Sequence, residues 1–309
     1  MVAIKSTLAN MSNIAVVIPT IRMKESMPAF MKAWQPLFDK HNVVLIVIED
    51  GENPKLTCSY EVAAEVDTQK IETTRAELDT EGLVSNYCAG VRQLGFLYIA
   101  KHLPEVKYII TLDDDEFPIG DTIQDHIDQL NRKVPISWLS TASDYMRGFP
   151  YKVRNEAPVI MSHGVWEGSY DWDAPSQLLK GDTKVEFYKG VIPKGIYFPM
   201  CGMNLAFRRE AIPYIFFAPV GQFKGAERWD DIFAGIFVVD NFAKNNWGIV
   251  SGYAKVDHQR ASNPFTSLAK EAVGILHGEE FYKDPMNYKG DVWFDEFRLK
   301  AKAWYNLTK

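Results

Sequence analysis

Cysteine is scarce in this chain: Cys58, Cys88 and Cys201 are the only three among 309 residues. An odd count at wide spacings excludes a disulfide framework and a paired-cysteine zinc site, and it predicts a reducing, cytoplasmic setting. Positive charge is not in excess either. With 34 Lys and Arg against 40 Asp and Glu the formal net charge is -6. That argues against nucleic acid as the main partner, while leaving room for a local basic cleft that takes a small anion. No stretch approaches the length of a membrane span. The N-terminal segment lacks a signal-peptide layout, because its apolar run over 14–18 is short and stops at Pro19. Asn10 and Asn306 each open an Asn-x-Ser/Thr sequon, but the predicted compartment argues against glycosylation. There is no Gly-rich loop ending in Lys-Ser/Thr and no Gly-x-Gly-x-x-Gly after the first apolar run. A P-loop triphosphatase and a dinucleotide dehydrogenase are thereby excluded, and no flavin-binding fingerprint is found.

What is present is an ordinary globular composition, 47% hydrophobic and 24% charged, long enough to bury one large core. Strand and helix signals alternate through the first part. "IAVVI" reads as a strand covered on both faces and ended by Pro19 and Thr20. Over 24–38 the period changes, and Met27, Phe30, Met31, Trp34 and Phe38 share one helical stripe. "NVVLIVIEDG" predicts a second buried strand stopped at Asp50-Gly51, so the unit is strand–helix–strand with parallel pairing. A helix over 85–101, with Cys88, Val91, Leu94, Gly95 and Tyr98 inward, leads to a third strand, "YIITL". The middle, about 134–197, is aromatic and mixed, with short strand-like runs "PISWLS" and "APVIM". "MNLAFRREAI" leads into a helical piece, and "PFTSLAKEAVGIL" and "DVWFDEFRLKAKAWYN" predict terminal helices. The predicted fold class is α/β: an open, twisted, mostly parallel sheet flanked by helices, in a single domain.

The third strand ends on Asp113, Asp114, Asp115 and Glu116. Like charges packed this closely repel and raise one another's pKa unless something neutralises them. A helix cap does not account for them, since Asp121 is the better cap for the helix over 122–130. Carboxylates at i and i+2 of an extended segment point to one side and can share a hard divalent ion. Mg²⁺ and Mn²⁺ keep positions open for substrate phosphates. In open parallel sheets ligands bind at the carboxyl ends of the strands, where Asp50 and the acid cluster both fall. A nucleotide-sugar enzyme fits these features and the missing loops; a solvated acidic loop is the plain alternative.

A series of blocks carries a more specific resemblance: "VVIPTIR" at 16–22, "IEDG" at 48–51, "YIITLDDD" at 108–115, "MRGFPYKVR" at 146–154 and "SHGVWEGSYDWDAPSQL" at 162–178. "FPMCGMNLAF" at 198–207, "RWDDIFAG" at 228–235 and "HQRASNPF" at 258–265 follow in order. Together they resemble the reversibly glycosylated polypeptides, which include plant UDP-arabinopyranose mutases and share the GT-A glycosyltransferase fold. The resemblance implies a nucleotide-binding half over about 13–133, a sugar-binding half over about 134–270, and C-terminal helices over 271–309. It implies that Asp113 and Asp115, with His258, hold Mn²⁺ or Mg²⁺ against the UDP diphosphate, and that Asp114 contacts ribose or orients its neighbours. Pro19, Thr20, Arg22, Asp50 and Gly51 would line the uridine pocket, with Arg92 added to it. Arg147 matches an arginine that becomes glycosylated, and Arg154 a second one needed for activity. Asp230 and Asp231 would face the sugar as a base or as hydroxyl-binding carboxylates. Each has a plain alternative: salt bridges for Arg22 and Arg92, a surface network of His258 with Asp257 and Arg260, a dipole-favoured helix start for Asp230 and Asp231. The segment over 219–227 departs from the family pattern, and the chain stops sooner after its last helix than plant members do.

The activity implied is flavin-independent interconversion of UDP-L-arabinopyranose and UDP-L-arabinofuranose in the cytoplasm by a homo-oligomer, with UDP-sugars such as UDP-glucose, UDP-xylose or UDP-galactose as further ligands. A guanidinium is a cation and a poor nucleophile, so Arg147 is either a covalent acceptor or a diphosphate clamp. Self-glycosylation, transfer to an external acceptor, and a UDP-sugar-binding scaffold are the competing functions.

Overall fold

A computed structural model of the chain describes residues 12–59, 70–141, 145–181, 183–219, 228–259, 263–288 and 292–309. The Asn10 sequon, positions 220–227 and Arg260 lie outside them. In chain order the elements are β1 (Ile14–Thr20), α1 (Met27–His41), β2 (Val44–Glu49), β3 (Lys55–Ser59), β4 (Lys70–Thr74), α2 (Arg75–Leu78), α3 (Gln93–His102), β5 (Tyr108–Thr111), β6 (Glu116–Pro118) and α4 (Thr122–Leu130). Then come β7 (Lys133–Val134), β8 (Ala157–Gly168), α5 (Ala174–Lys180), β9 (Gly190–Ile192), β10 (Leu205–Arg208), α6 (Asp230–Lys244), β11 (Gly248–His258), α7 (Pro264–Lys283) and α8 (Val292–Thr308). Short 3-10 turns cover Ala89–Arg92, Tyr151–Val153 and Arg209–Tyr214.

One sheet runs β4-β3-β2-β1-β5-β10-β8-β11-β6, with β7 added on β8 and β9 on β11. β1 pairs parallel with β2 and β5, and β11 parallel with β8. β10 is antiparallel to both β5 and β8. Hence β2, β1, β5, β8 and β11 point one way, with a single reversed strand inserted among them, and the expected mostly parallel sheet is what the chain builds. Helices cover both faces. Phe30, Trp34 and Phe38 of α1 stack along the helix, with ring centroids 5.7 and 5.8 Å apart, and pack on one face with Ile123 and Leu130 of α4. The other face buries Phe96 of α3, Phe207, and Phe233 and Phe242 of α6. α3 lies unusually close to β1, and a Cβ at Gly95 would stand 2.6 Å from a Val17 methyl. No helix among the described residues is long and apolar enough to cross a membrane.

Tertiary context changes five of the expected elements. β1 continues through Pro19, which is paired with Ile48. The missing N–H does no harm, because Val17 already accepts the last bond from that side, Leu112 N–H at 3.2 Å, and Pro19 faces the same side beyond the end of β5. The helix expected over 85–101 begins only at the 3-10 turn, because Tyr87 is left-handed at φ 58 and its N–H is held by Asp50 at 2.8 Å. "APVIM" grows into the twelve-residue β8, whereas "PISWLS" forms no strand. "LAFR" is a strand because β5 and β8 pair with it.

The reversed strand is fastened by two buried histidines. His126 meets Ser162 Oγ at 2.9 Å through Nδ1 and Asn204 Oδ1 at 2.8 Å through Nε2. His163 accepts from Cys201 N–H at 3.2 Å through Nε2 and meets Ser251 Oγ at 3.2 Å. Asn204, at φ 44, also donates to the Val165 and Ala254 carbonyls. Burial lowers both histidine pKa values to about 4 from 6.5, helped at His163 by His126. Unfolded histidine protonates near 6.5, so the stabilisation is complete above that pH and is lost as pH falls toward 4. The free energy of unfolding measured by urea titration is expected to fall steeply between pH 6.5 and 4, by on the order of 3 kcal/mol per histidine. A His126→Gln variant should flatten that slope, and an unchanged slope would refute the assignment.

Candidate active site at the carboxyl ends of the strands

The acid turn after β5 is neutralised by two arginines and by burial. Asp113 accepts from Arg92 at 2.6 Å. Arg92 is buried, and its remaining donors go to the Thr111 hydroxyl at 2.7 Å, the Ala89 carbonyl at 2.8 Å and the Gly202 carbonyl. Asp114 turns inward, bonded to the Thr20 hydroxyl and the Arg22 guanidinium. Arg22 reaches Asp115 as well, at 3.1 Å. Glu116 lies fully buried beneath, accepting from Asp113 N–H at 2.7 Å and Trp166 Nε1 at 3.1 Å. Burial, then the Asp113 charge, push Glu116 well above the usual carboxylate range. The same two causes raise Asp115, opposed by His258 and Arg22.

His258, at the end of β11, stands with Nε2 3.8 Å from Asp115 Oδ1, while its Nδ1 lies 2.9 Å from the Ser169 carbonyl. A carbonyl can only accept, so Nδ1 is the donor there and Nε2 faces the Asp115 carboxylate. An imidazole nitrogen and a carboxylate facing each other call for a proton or a cation between them. The donor chemistry of Asp113, Asp115 and His258 therefore fits a divalent ion. Among the described residues, however, no group of three or more His, Cys, Asp or Glu is drawn together closely enough to hold one.

Beside this turn, the ends of β1 and β2 frame a second set. Thr20 Oγ1 accepts from Arg22 N–H at 2.9 Å. Asp50 accepts from Gly51 N–H and Tyr87 N–H, both at 2.8 Å, and burial raises its pKa. Asn86 donates to the Gly51 carbonyl at 2.8 Å. Pro19, Thr20, Arg22, Asp50 and Gly51 are thus gathered at one edge with Asp114. Exposed Tyr87 stands beside them, held in a conformation that side chains rarely adopt; such strain concentrates at functional positions.

A cleft of about 480 Å³ opens from Asp113 and Arg92 toward α6 and α7, with Asp171, Trp172, Asp230 and Asp231 in its wall. Asp230 is buried and accepts from Gly90 N–H at 2.8 Å. Asp231 accepts from Gly202 N–H at 2.8 Å. The two open α6 and also line the cleft. Burial, opposed by Arg92, raises Asp230 to about 6; burial, then Asp230 and Asp171, raise Asp231 to about 8. On the far wall Arg228 bonds Glu271 at 2.9 Å, and Glu271 accepts from Ala174 N–H at 2.7 Å. Sequence reasoning missed Asp171, Arg228, Glu271 and Tyr87. Asp171 and Asp173 flank Trp172 in "DWDAP", and that alternation was the available signal.

Arg147 and Arg154 lie elsewhere. Arg147 is exposed and is not part of the cleft wall. Arg154 lies over the Tyr145 ring at 4.4 Å and the Tyr151 ring at 4.0 Å, and donates to the Phe149 carbonyl at 3.4 Å. Replacing Arg92 should test the countercharge directly. Arg92→Met leaves Asp113 and the Thr111 and Gly202 oxygens without their donor, and is expected to cost about 3–5 kcal/mol in urea unfolding. A loss below 1 kcal/mol would overturn its role as counter-ion.

Comparison with known proteins identifies the family. Residues 9–284 match the Reversibly glycosylated polypeptide family. UDP-arabinopyranose mutase 3 of Arabidopsis thaliana is 34% identical over 301 residues, 90% of this chain and 79% of the relative. Probable UDP-arabinopyranose mutase 1 of Pisum sativum is 34% identical over 288 residues, 86% and 75% of the two chains. UDP-arabinopyranose mutase 1 of Oryza sativa subsp. japonica is 31% identical over 301 residues, 90% and 78%. Among solved structures, a mutant of Drosophila β1,4-galactosyltransferase 7 in complex with manganese, UDP-Gal and xylobiose aligns at TM-score 0.39 and 12% identity over 92% of this chain and 83% of that one; a likeness at that level carries no argument about the site. The family match spans the strand-end acids, the cleft and the Arg147 loop alike, and the chain belongs to the reversibly glycosylated polypeptide family.

Proposed function

We propose that this protein interconverts UDP-L-arabinopyranose and UDP-L-arabinofuranose without a flavin. The observation that carries the reading is the extent of the match: relatives named UDP-arabinopyranose mutases align over 86% and 90% of the chain. The site offers compatible chemistry. Residues of about 13–133 would take the nucleotide, with Pro19, Thr20, Arg22, Asp50 and Gly51 around uridine and Asp114 orienting Arg22. Those of about 134–270 would present the sugar face, and 271–309 would brace it. Asp113, Asp115 and His258 would hold Mn²⁺ or Mg²⁺, which when bound supplies positive charge to the departing diphosphate. Arg92 serves this end indirectly, by fixing Asp113. As the anomeric carbon loses its leaving group it becomes oxocarbenium-like, and the Asp230–Asp231 pair, of which Asp230 is the more acidic, would face that charge. Arg154 would set the shape of the loop bearing Arg147. A homo-oligomeric, cytoplasmic enzyme completes the reading, supported by the resemblance and the sparse cysteines.

A second reading, self-glycosylation or transfer to an external acceptor, draws on one observation. Arg147 is exposed and makes no hydrogen bond or ion pair among the described residues, as suits a group that must meet a sugar. As a covalent acceptor it needs a carboxylate to take its proton; as a diphosphate clamp it does not.

Incubating the protein with UDP-arabinofuranose and Mn²⁺, followed by chromatography, should yield the pyranose as the main product. No pyranose at any enzyme level would overturn the mutase reading. A hexose adduct on Arg147 after exposure to UDP-glucose, seen by mass spectrometry, would favour self-glycosylation. Calorimetry should show UDP binding at least about tenfold tighter with Mn²⁺ than with EDTA, and Asp115→Asn should abolish that difference. Equal affinities would remove the metal from the account.

A further inference from the structure

Ring exchange demands more than breaking the bond to UDP. The pyranose ring oxygen must gain a proton, and the hydroxyl that becomes the furanose ring oxygen must lose one. Two carboxyl groups are the economical apparatus, one protonated and one ionised. The cleft is lined by carboxyl groups outside the strand-end acids.

Asp231, half-buried at the start of α6, has both oxygens fixed by backbone donors: Ile232 N–H at 2.9 Å and Gly202 N–H at 2.8 Å. Asp171, on the segment between β8 and α5, shares the same cleft wall and lies 4.0 Å from the Arg228 guanidinium. Cys201 lines the same wall and feels the charge of both carboxyl groups. Burial, then those two acids, push the Cys201 thiol well up, so it stays uncharged. The charged groups around Asp231 are Asp230 on its own helix, Arg92 on the 3-10 turn and Asp171 on the facing segment. Arg92 is already engaged by Asp113, and Asp230 is committed to Gly90 N–H. Arg228 stands 4.0 Å from Asp171. Burial, then Asp230 and Asp171, bias Asp231 toward the protonated acid. One cavity thus holds an acid paired with a guanidinium and an acid crowded by like charge.

We propose that Asp171 and Asp231 act as a catalytic acid–base pair that carries a proton across the sugar during ring exchange. The step rests on the mutase reading above. When the bond to UDP has broken, the C4 hydroxyl attacks the anomeric carbon and gives its proton to Asp171, so that carbon is bonded to both ring oxygens. The Asp231 carboxyl then protonates the pyranose ring oxygen, whose bond to the anomeric carbon breaks with the electron pair going to that oxygen. The UDP oxygen re-forms its bond to the anomeric carbon and leaves the five-membered ring closed. The pair finishes with its proton on Asp171, which is the state the reverse reaction needs. Transfer back to Asp231 resets the enzyme, so no outside reagent is consumed.

The test is the pH profile of interconversion with wild type and variants at both sites. Wild-type kcat should fall on the alkaline side near pH 8 as Asp231 loses its proton. Asp171→Ala should lower kcat by about 100-fold or more with KM changed less than about threefold, and added formate should restore at least about tenfold. Asp171→Glu keeps a carboxylate and should retain at least about a tenth of wild-type kcat. Asp231→Asn should lose about 100-fold or more and with it the alkaline fall. Thermal melting and UDP calorimetry identify variants that fold and bind. A folded, UDP-binding Asp171→Ala protein within about threefold of wild type, or one that formate does not rescue, overturns the pair. So does equal loss in Asp171→Ala and Asp171→Glu. A wild-type protein with no interconversion overturns the mutase reading itself, and is told apart because every variant comparison then starts from zero.

Discussion

Everything at this site depends on how four adjacent acids are kept from repelling one another. Each is handled by different means. Asp113 is paired with a buried arginine, Asp114 is folded inward onto Arg22 and Thr20, Asp115 shares Arg22 and faces His258, and Glu116 is buried and accepts from Asp113 N–H and Trp166 Nε1. The consequence is structural as well as chemical. Arg92 ties the turn to Thr111 and to the carbonyl of Gly202, and Trp34 of α1 donates to the Glu116 carbonyl at 2.8 Å. Removing charge from this turn would loosen three separate parts of the chain.

Past the turn, the cleft remains rich in negative charge. Among its lining residues six carboxylates, of Asp113, Asp171, Asp173, Asp230, Asp231 and Glu271, face three cations, of Arg92, Arg228 and Lys270. Arg92 is committed to Asp113, and Arg228 is paired with Glu271. Such a cavity disfavours a bare diphosphate and favours positive charge, whether a divalent ion or a sugar carbon becoming cationic. It also raises the pKa values of the acids inside it, which is how carboxyl groups come to serve as proton donors near neutral pH.

The reversed β10 strand explains why these groups converge. It enters the sheet from the edge where the parallel strands end, so the segment leading into it, with Cys201, Gly202 and Asn204, passes directly through the site. Gly202 N–H fixes Asp231, the Gly202 carbonyl binds Arg92, and Cys201 N–H binds His163. Gly164 completes the fit, since a Cβ there would stand 2.1 Å from the Asn204 amide. Neutral histidines and an asparagine in a left-handed conformation thereby hold the strand on which the cleft is built.

The sequence by itself determined the buried strands, the amphipathic α1, the capped α4 and the acid turn, because these depend on local periodicity and on charge adjacent in the chain. Asp121 does cap α4, accepting from Gln124 N–H at 3.1 Å. It also determined the family, through motifs spread over most of the chain. Only the tertiary structure decided what neutralises the acids: Arg92 lies 21 residues before Asp113, and Arg22 lies 92 before Asp114, separations no local pattern encodes. It alone showed that Asp230 is occupied by a backbone donor, that Asp171 joins Asp231 in one cavity, and that Arg154 is held between two tyrosines. The physical reason is common to all of them. Hydrogen bonds, burial and Coulomb forces act through space, and the strand order that sets those distances is fixed by long-range pairing rather than by neighbours in the chain.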